Sequence, residues 1–542
     1  MLDKVITNAH GLTQDSTNPL VHTIGISQGR IIALDGAADN LIGPGTERID
    51  AHQATVIPGF NDAHAHSVWF GQTLTEIDLG GITRTERIYS LLRDAEPKKS
   101  GGWIVASSFN PSLLGDGPVE LAKLDAACRE HPLLIKHATG HSYTVNSAAL
   151  KLAGIDPAFP PKAEGGQVVT DESGRATGTL DENAMRYVQD ILHPESAAFI
   201  THALDLATQH YLSEGITSVT DAGVAGGWIG HSPREFGIYQ TARSQGKLRT
   251  RMQPMITADC LHPLDGHAEE PAIYGLDGGI HTGLGDDWLR LGPTKMFLDG
   301  SMLGATAAMT ENYCHCPHTR GYFQGDKEEM RARALGAVAG GWSLALHAIG
   351  DAAIDFGIEL IAQANDRHGR PAIPHRLEHC SVIRDDQLAQ LARHNIVPVP
   401  QPRFIYELGD GVRAALGDAR SAHTYPGRRL VDAGLILPGS SDRPVVDGSP
   451  LKGMQSYILR TTASGHQFGD DCLSVQQALY AYTAGSAAAT GQAGNKGQLA
   501  VGQLADFTIL GANPLEVPAE EIGDIPVTAT IIGGEVVYGG TD

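Results

Sequence analysis

The chain has 542 residues, of which 42% are hydrophobic and 19% are charged, so it can bury a large core and carries too few charges for a disordered protein. Its formal net charge of −22 argues against nucleic acid and against an anionic membrane surface as partners, because both require a basic face. No apolar run of about 18 residues predicts a transmembrane helix.

Targeting and redox features of the sequence favour the cytoplasm. The first sixteen residues lack the long apolar segment of a secretion signal. The six cysteines have no spacing typical of a disulfide framework, which suits a reducing compartment. We therefore expect a cytoplasmic enzyme with a small-molecule substrate, and a homodimer would be unsurprising.

Both ends of the chain have the pattern of short strands. Residues 1–57 and residues 490–542 alternate apolar and polar positions around Gly- and Asn-containing turns. Neither end could build a stable sheet domain alone. We therefore predict one composite β-sandwich assembled from both termini.

Residues 58–489 change character, with short apolar runs alternating with helical stretches rich in Ala and Leu. This alternation predicts an α/β fold, a (β/α)8 barrel of the TIM type. A doubly wound sheet is the alternative, but no Gly-x-Gly-x-x-Gly follows an early strand. Residues 67 to about 200 are too long for one βα unit, so we predict an inserted subdomain there.

Two histidines follow the first predicted barrel strand, in "VIPGFNDAHAHSVWF". His64 and His66 are one residue apart, and residues i and i+2 of a strand point to the same face. Both imidazoles would project side by side, as two ligands of one metal ion must. The alternative is that they are two unrelated members of a set of 24 histidines.

Four more polar residues lie at or near later predicted strand ends, where catalytic groups of such barrels gather. They are Lys295 in "RLGPTKMFLDGS", His347 in "WSLALHAIGD", His379 in "HRLEHCSVI" and Asp442 in "LILPGSSDRP". A lone strand histidine is more often a hydrogen-bonded core residue, and a lone strand aspartate often caps the next helix. Six such positions in barrel order favour one shared site.

The chemistry of these residue types is consistent with a binuclear metal site. Four neutral imidazoles suit Zn²⁺ and related divalent ions. Burial lowers the pKa of a lysine, and its amine can then add CO₂ to form a carbamate that bridges two cations. Two metals would activate a bridging water and polarise a substrate carbonyl. Asp442 could take the proton and pass it to the departing nitrogen.

Five segments resemble the signature segments of the amidohydrolase superfamily: "PGFNDAHAH", "TKMFLDGS", "LHAIGD", "LEHC" and "GSSDRPV". The chain is most similar to the amidohydrolase-3 branch, which includes N-substituted formamide deformylase-like enzymes. "GQLAVGQLADFTIL" resembles that family's returning sandwich strands.

This resemblance implies a metal-dependent hydrolase that cleaves an amide or formamide C–N bond of a small organic substrate by attack of metal-bound hydroxide. It assigns His64, His66, His347 and His379 as ligands of two divalent ions, expected to be zinc. It assigns Lys295 as the carbamylated bridge and Asp442 as the base.

Substrate contacts are harder to predict, and the candidates are His141, Asp299 and Arg403. His141 could instead make a hydrogen bond at a helix N-terminus. Asp299 could orient a metal ligand or cap a turn with Gly300. Glu182 is interpreted as a surface or helix-start residue.

The tract "CHCPH" at 314–318 could bind metal, since Cys/His tracts do so. Structural zinc sites usually pair cysteines two to four residues apart with a second pair elsewhere. Cys314 and Cys316 match this poorly, so we favour a loop near the barrel mouth.

Other functions stay open at this point. A lactonase, esterase or deaminase could use the same scaffold. Mononuclear deaminases typically lack the bridging lysine, so Lys295 argues against that version. A catalytically silent binding homologue would be expected to have gaps in the ligand set. No Gly-x-Ser-x-Gly at a strand-to-helix turn, the elbow that carries a nucleophilic serine, is evident, so we do not favour a serine hydrolase.

Overall fold

The computed structural model describes residues 1–95, 102–227, 229–268, 270 and 272–540. Among these residues the strands are, in chain order, β1 (Lys4–Thr7), β2 (His10–Leu12), β3 (Leu20–Val21), β4 (Ile24–Ser27), β5 (Arg30–Leu34), β6 (Glu47–Asp50), β7 (Thr55–Pro58), β8 (Phe60–Ala65), β9 (Ile77–Asp78), β10 (Ile104–Phe109), β11 (Leu133–His137), β12 (Ser142–Val145), β13 (Gly166–Thr170), β14 (Ala176–Glu182), β15 (Ile216–Val224), β16 (Arg251–Ile256), β17 (His262–Leu264), β18 (Ile273–Gly275), β19 (Thr294–Phe297), β20 (Leu344–Ala348), β21 (Arg376–His379), β22 (Val397–Val399), β23 (Phe507–Leu510), β24 (Val527–Ile532) and β25 (Glu535–Gly539).

The α-helices of the same residues are α1 (Gly36–Asp39), α2 (Ser67–Thr73), α3 (Thr85–Arg93), α4 (Leu121–Cys128), α5 (Ser147–Leu152), α6 (Arg186–Leu192), α7 (Ala197–Ser213), α8 (Glu235–Ser244), α9 (Lys327–Ala339), α10 (Asp351–His368), α11 (Asp385–His394), α12 (Arg403–Ser421), α13 (Arg428–Asp432), α14 (Pro450–Leu459), α15 (Val475–Tyr480) and α16 (Ser486–Ala489). Within the part of the chain that is described, no helix combines the length and apolar character needed to cross a membrane.

Strands from both ends of the chain share one sheet. Its order is β25-β24-β23-β7-β2-β3, so three C-terminal strands continue directly into three N-terminal ones. A second sheet, β5-β4-β1-β6, contributes Ile6 to an apolar cluster that also holds Val56, Phe507 and Ile531. The termini therefore bury apolar surface together. The sandwich description and its boundaries at 57 and 490 stay predictions.

The region predicted as an insertion contains a sheet of its own. Its order is β13-β14-β12-β11-β10-β9, spanning 77–182. Its apolar side chains fall into two separate clusters, one containing Trp103 and Leu180 and the other containing Leu79 and Ile135. Covering both faces of a sheet lets this segment fold as a compact unit beside the parallel strands.

The parallel strands of the middle region form two sheets, β16-β15-β8 and β19-β20-β21-β22. A parallel backbone bridge between Thr257 and Lys295 links the residue after β16 to β19. On the other side, the amide of Ala63 donates to the carbonyl of Gly439 at 3.0 Å. The carboxyl ends of these strands thus come together at one rim. Closure of the strands into a barrel stays a prediction.

The sequence predicted a final strand ending at Asp442, and the structure has no strand there. Pro438 cannot donate a backbone hydrogen bond, and Asp442 has a φ of 59°, outside the extended region. The segment still lies against β8, because the amide of Asp442 donates to the carbonyl of His64 at 2.7 Å. The aspartate therefore reaches the rim from an irregular segment.

Candidate metal centre

The end of β8 positions the first pair of histidines. His64 and His66 are both buried, and their ring centroids are 5.4 Å apart. The Oδ1 atom of Asp442 lies 3.2 Å from Nε2 of His64 and 3.0 Å from Nε2 of His66. The i, i+2 spacing on the strand thus places both imidazoles against one carboxylate.

The ends of β20 and β21 contribute the second pair. His347 and His379 are buried, with ring centroids 4.5 Å apart. The ring of His379 is also 5.0 Å from that of His64, which joins the two pairs into one group. Because β20 and β21 are parallel neighbours, their carboxyl ends deliver these two side chains to the same place.

Lys295 lies on β19 and is fully buried. Among the described residues its Nζ atom has no hydrogen-bond partner. Burial disfavours the ammonium form and lowers the pKa of Lys295 to about 8. The amine is therefore a stronger nucleophile near neutral pH than an exposed lysine would be.

Each of three imidazoles is held through its Nδ1 atom. The contacts are His64 to Glu378 Oε2 at 2.5 Å, His347 to Asp299 Oδ1 at 3.0 Å and His379 to Gln401 Oε1 at 2.8 Å. Metal-binding histidines characteristically make such a contact with one ring nitrogen and bind metal with the other. The Nε2 atom of His347 is buried and has no hydrogen-bond partner among the described residues.

The electrostatics of the group favour metal ligation. Burial lowers the pKa of His379 to about 3 and holds the pKa of His347 well below its usual value, so both rings are neutral at pH 7. Burial alone would raise the pKa of Asp442, but the facing imidazoles of His64 and His66 outweigh it and hold that pKa well below its usual value. Neutral imidazoles, an amine and a carboxylate form a donor set that suits a divalent ion.

Sequence reasoning missed the supporting residues Glu378 and Gln401. Glu378 is fully buried and receives two hydrogen bonds of 2.8 Å from Arg376. Burial would raise the pKa of Glu378, but the Arg376 charge outweighs it and lowers that pKa. The sequence did contain a signal for Glu378, since Arg376 and Glu378 stand at i and i+2 of one apolar strand, where each buried charge requires a partner.

Of the predicted substrate contacts, His141 lines a cavity together with His379 and Asp442. Its Nδ1 atom lies 2.8 Å from Oε2 of Glu182. Glu182 is 1% exposed, so the surface interpretation was wrong, whereas its position directly before the helical turn Asn183–Met185 agrees with the helix-start interpretation. The polar sequence around Glu182 suggested exposure, whereas its hydrogen bonds to buried groups keep it inside.

Asp299 does not reach the cavity, so its role as a substrate contact is corrected. It is fully buried and accepts hydrogen bonds from the amides of Ala308, Ile349 and Gly350 as well as contacting His347. All four contacts are with the protein itself. Its contact with His347 suits the alternative interpretation, in which Asp299 orients a metal ligand, and that interpretation stays a prediction.

Arg403 is likewise absent from the residues that line the cavity. Its guanidinium donates to Glu407 at 2.8 Å and stacks on the ring of Tyr406 at 4.1 Å. Because Arg403 begins α12, its neighbour Phe404 is the residue that faces the cavity.

Apart from Thr139 and Ser301, the rest of the cavity wall is apolar. Its hydrophobic lining residues come from the loop after β19, the end of β20, α12 with the segment after it, and the segment after Asp442: Met302, Leu303, Ile349, Phe404, Leu408, Val412, Tyr425 and Val445. The polar residues His141, His379 and Asp442 lie at the metal-centre end. The cavity therefore offers one reactive end and one apolar end to a bound molecule.

The Cys314–His318 tract forms part of a loop. Cys314 is exposed and its thiol accepts a hydrogen bond from Arg420 at 3.4 Å, while Cys316 packs against the apolar cluster near the cavity. Among the described residues, neither cysteine belongs to a group of three possible metal ligands.

A second group of possible ligands, His193, Glu195 and His231, lines a separate cavity beside Trp69. There the Gln72 amide donates to Glu195 at 2.5 Å and contacts His231 at 3.2 Å. The protein's own amide thus already bridges two of the three side chains.

The sequence is similar to a known protein family and to individual members of it. The Amidohydrolase family profile matches residues 47–538. YtcJ of Bacillus subtilis (strain 168), which is named as an amidohydrolase, is 28% identical, with 91% of each chain covered. The N-substituted formamide deformylase of Arthrobacter pascens is 27% identical, with 99% of this chain and 98% of that protein covered.

The fold is similar to that of a metal-dependent hydrolase of uncharacterised function from Pyrococcus horikoshii OT3. That structure superposes with a TM-score of 0.75 at 24% identity, covering 95% of this chain and 99% of that one. At this level of identity the likeness concerns the fold.

Proposed function

The chain belongs to the amidohydrolase family, and on that premise we propose that it is a metal-dependent hydrolase that cleaves the C–N bond of an amide or formamide with an apolar substituent. The observation that carries the proposal is the convergence of four buried imidazoles and one carboxylate at a single rim, with the buried amine of Lys295 on β19, the strand that pairs with β20. Burying these polar groups together costs free energy through lost hydration, and the set suits metal-assisted hydrolysis.

The residues present fit two divalent ions, with zinc as the expected metal. His64, His66, His347 and His379 would hold them, together with Lys295 as a carbamate formed when its amine adds CO₂. The buried Nζ of Lys295 and Nε2 of His347, which have no hydrogen-bond partner among the described residues, support this assignment. When bound, the ions would supply an activated water and a polarised carbonyl.

Asp442 is proposed as the proton carrier. Its carboxylate faces the histidine pair of β8 and lines the cavity, so one side chain can contact both the attacking water and the substrate. Its low pKa keeps it ionised, so it can accept a hydrogen bond from the water, and it could take the proton once the bound ions have lowered the pKa of that water. It would then pass that proton to the nitrogen as the C–N bond breaks.

The apolar wall supports a substrate with a hydrophobic or aromatic group. Phe404, Leu408 and Met302 would pack against that group while the reacting carbonyl points to His141 and the metal ligands. The relative named for N-substituted formamides makes that substrate class the first to test.

We also propose that the parallel strands close into a (β/α)8 barrel. The Thr257–Lys295 bridge and the Ala63–Gly439 hydrogen bond support this, since they join the two parallel sheets and the 439–442 segment around one rim.

The test is metal content by plasma mass spectrometry, followed by hydrolysis of an N-benzyl and N-alkyl formamide panel before and after chelation. We expect two equivalents of zinc, with activity lost on chelation and restored by zinc. His347→Ala should lose metal and activity together, whereas the control His267→Ala, at an exposed position, should keep both.

Two results would count against the proposal. Protein that holds no metal and takes up none on zinc addition would overturn the metal centre. Zinc-loaded protein that hydrolyses matched lactones or esters but no amide would keep the metal centre and reject the C–N bond assignment.

A further inference from the structure

Glu182 is a buried carboxylate that the metal centre does not use. It ends β14 in the inserted sheet, and its side chain receives hydrogen bonds from two groups of the parallel-strand region as well as contacting His141. The Thr306 hydroxyl donates to Oε1 at 2.6 Å, and the Gln324 amide donates to Oε2 at 3.0 Å. A carboxylate buried this deeply persists only when such partners compensate for its lost hydration.

The backbone at Glu182 is also unusual. Its φ is 52°, in the left-handed region that non-glycine residues seldom adopt. Such a conformation is strained and persists when the surroundings enforce it. Here the surroundings are the side-chain contacts and a hydrogen bond of 2.9 Å from the Glu182 amide to the carbonyl of His141.

The loop that carries Thr306 passes too close to Glu182 to accommodate another side chain. A Cβ atom at Gly300 would lie 2.5 Å from Oε1 of Glu182 and 2.3 Å from the Thr306 hydroxyl oxygen. Asp299, which holds His347, immediately precedes this glycine. The inserted sheet and the metal-centre loop are therefore fixed against each other at Glu182.

Like Thr139, His141 reaches the cavity from the insertion. Its ring centroid is 5.5 Å from that of His347, and it lines the cavity with His379 and Asp442. Because Glu182 engages Nδ1, the ring presents its opposite edge, with Nε2, away from the carboxylate. The orientation of this edge depends on the Glu182 contact.

We infer that Glu182 is a positioning residue, which holds the His141 ring so that Nε2 contacts the oxygen of the substrate's reacting carbonyl. Thr306 and Gln324 set the position of Glu182 and so align the insertion with the metal centre. The inference rests on the proposed function, since it concerns the substrate of that same site.

The test is a double-mutant cycle in zinc-loaded protein with Glu182→Gln, His141→Ala and the double variant. Each single variant should lower kcat by about 10–100-fold, the range found when such supporting contacts are lost. The double variant should be no slower than His141→Ala alone, and zinc content should not change. Asp181→Asn is the matched control, because this neighbouring carboxylate bonds to Ser142 and Gln167 instead.

A second measurement on the same variants is their affinity for acetohydroxamate, a zinc-binding carbonyl mimic, determined by calorimetry. Its affinity should fall in Glu182→Gln and His141→Ala, with no further loss in the double variant. If Glu182→Gln does not fold, Gln324→Met should give the same direction with a smaller effect.

Multiplicative losses in the double variant, wild-type behaviour of Glu182→Gln, or loss of zinc from it would each overturn the inference. Failure of the proposed function is distinguishable. Wild-type protein that binds zinc but hydrolyses no amide would fail as an amidase, while the hydroxamate cycle would still decide the role of Glu182.

Discussion

Lys295 and Lys496 are both buried, but they lie at opposite ends of the parallel strands. Lys295 pairs with Thr257, just beyond the carboxyl end of β16. Lys496 hydrogen-bonds to Ser218, which pairs with Arg251 at the start of β16. Burial lowers the pKa of both, to about 8 for Lys295 and about 7 for Lys496.

The surroundings of the two amines differ more than their burial does. The Lys295 amine lies 4.9 Å from the centroid of the Phe297 ring and has no hydrogen-bond partner among the described residues, whereas the amine of Lys496 is bonded to a hydroxyl. Near Lys496, the ion pair of Arg251 with Asp506 ties β16 to the C-terminal segment. A lowered pKa therefore accompanies an unpaired amine, which we propose carries the carbamate, at one end and a hydrogen-bonded amine at the other.

Lys295→Met should have the largest effect on activity. Methionine fills a similar volume but cannot carry the proposed carbamate, so the metals would lose their shared ligand. Metal assistance is worth several kcal/mol of transition-state stabilisation, which corresponds to roughly a 10³-fold loss in kcat/KM. Kinetics on the best formamide, with metal content measured in parallel, would check this. Activity within tenfold of wild type would remove Lys295 from the site.

How far the sequence could predict these positions depends on where each residue lies. His64, His66, His347 and His379 lie at the ends of regular strands, where the strand period and the barrel order predict a common rim. Lys295 is conspicuous because it interrupts an apolar strand. The motif resemblance added the role of each residue.

The positions that the sequence did not predict correctly depend on contacts between residues far apart in the chain. Glu182 is flanked by polar residues, and its burial arises from Thr306 and Gln324, more than 120 positions away. Lys496 lies in a Gly- and Asn-containing turn, which ordinarily indicates exposure. Asp442 was found by its motif, although its predicted strand was wrong.

Phe404→Ala should have an intermediate effect on activity and tests whether the apolar wall of the cavity contacts the substrate. Removing the ring loses apolar contact worth about 1.5–3 kcal/mol, so kcat/KM for an N-benzyl formamide should fall by about tenfold or more. The N-methyl analogue should change much less, because it cannot reach the wall. Tyr406→Ala is the matched control, since this ring lies on the same helix but stacks on Arg403 outside the cavity lining. Equal losses for both substrates would argue that Phe404 supports the fold and does not contact substrate.

Lys496→Met should have the smallest effect on activity, within about twofold, and a pH-dependent effect on stability. Below pH 7 the lysine is charged in both states, so the folded protein bears the full cost of burying the ammonium. Between pH 7 and 10 the folded protein has released that proton while the unfolded chain retains it. The free energy of unfolding of the wild type then rises by up to about 1.4 kcal/mol per pH unit relative to the variant.

The advantage of methionine over lysine should accordingly be greatest at or below pH 7 and shrink toward pH 10. Urea unfolding of both proteins, in the same metal state and at about pH 6.5, 8 and 9.5, measures this difference. A difference that stays constant over this range would show that Lys496 titrates normally in the folded protein. The two lysines would then differ in pKa as well as in their neighbours, because Lys295 alone would retain a depressed pKa.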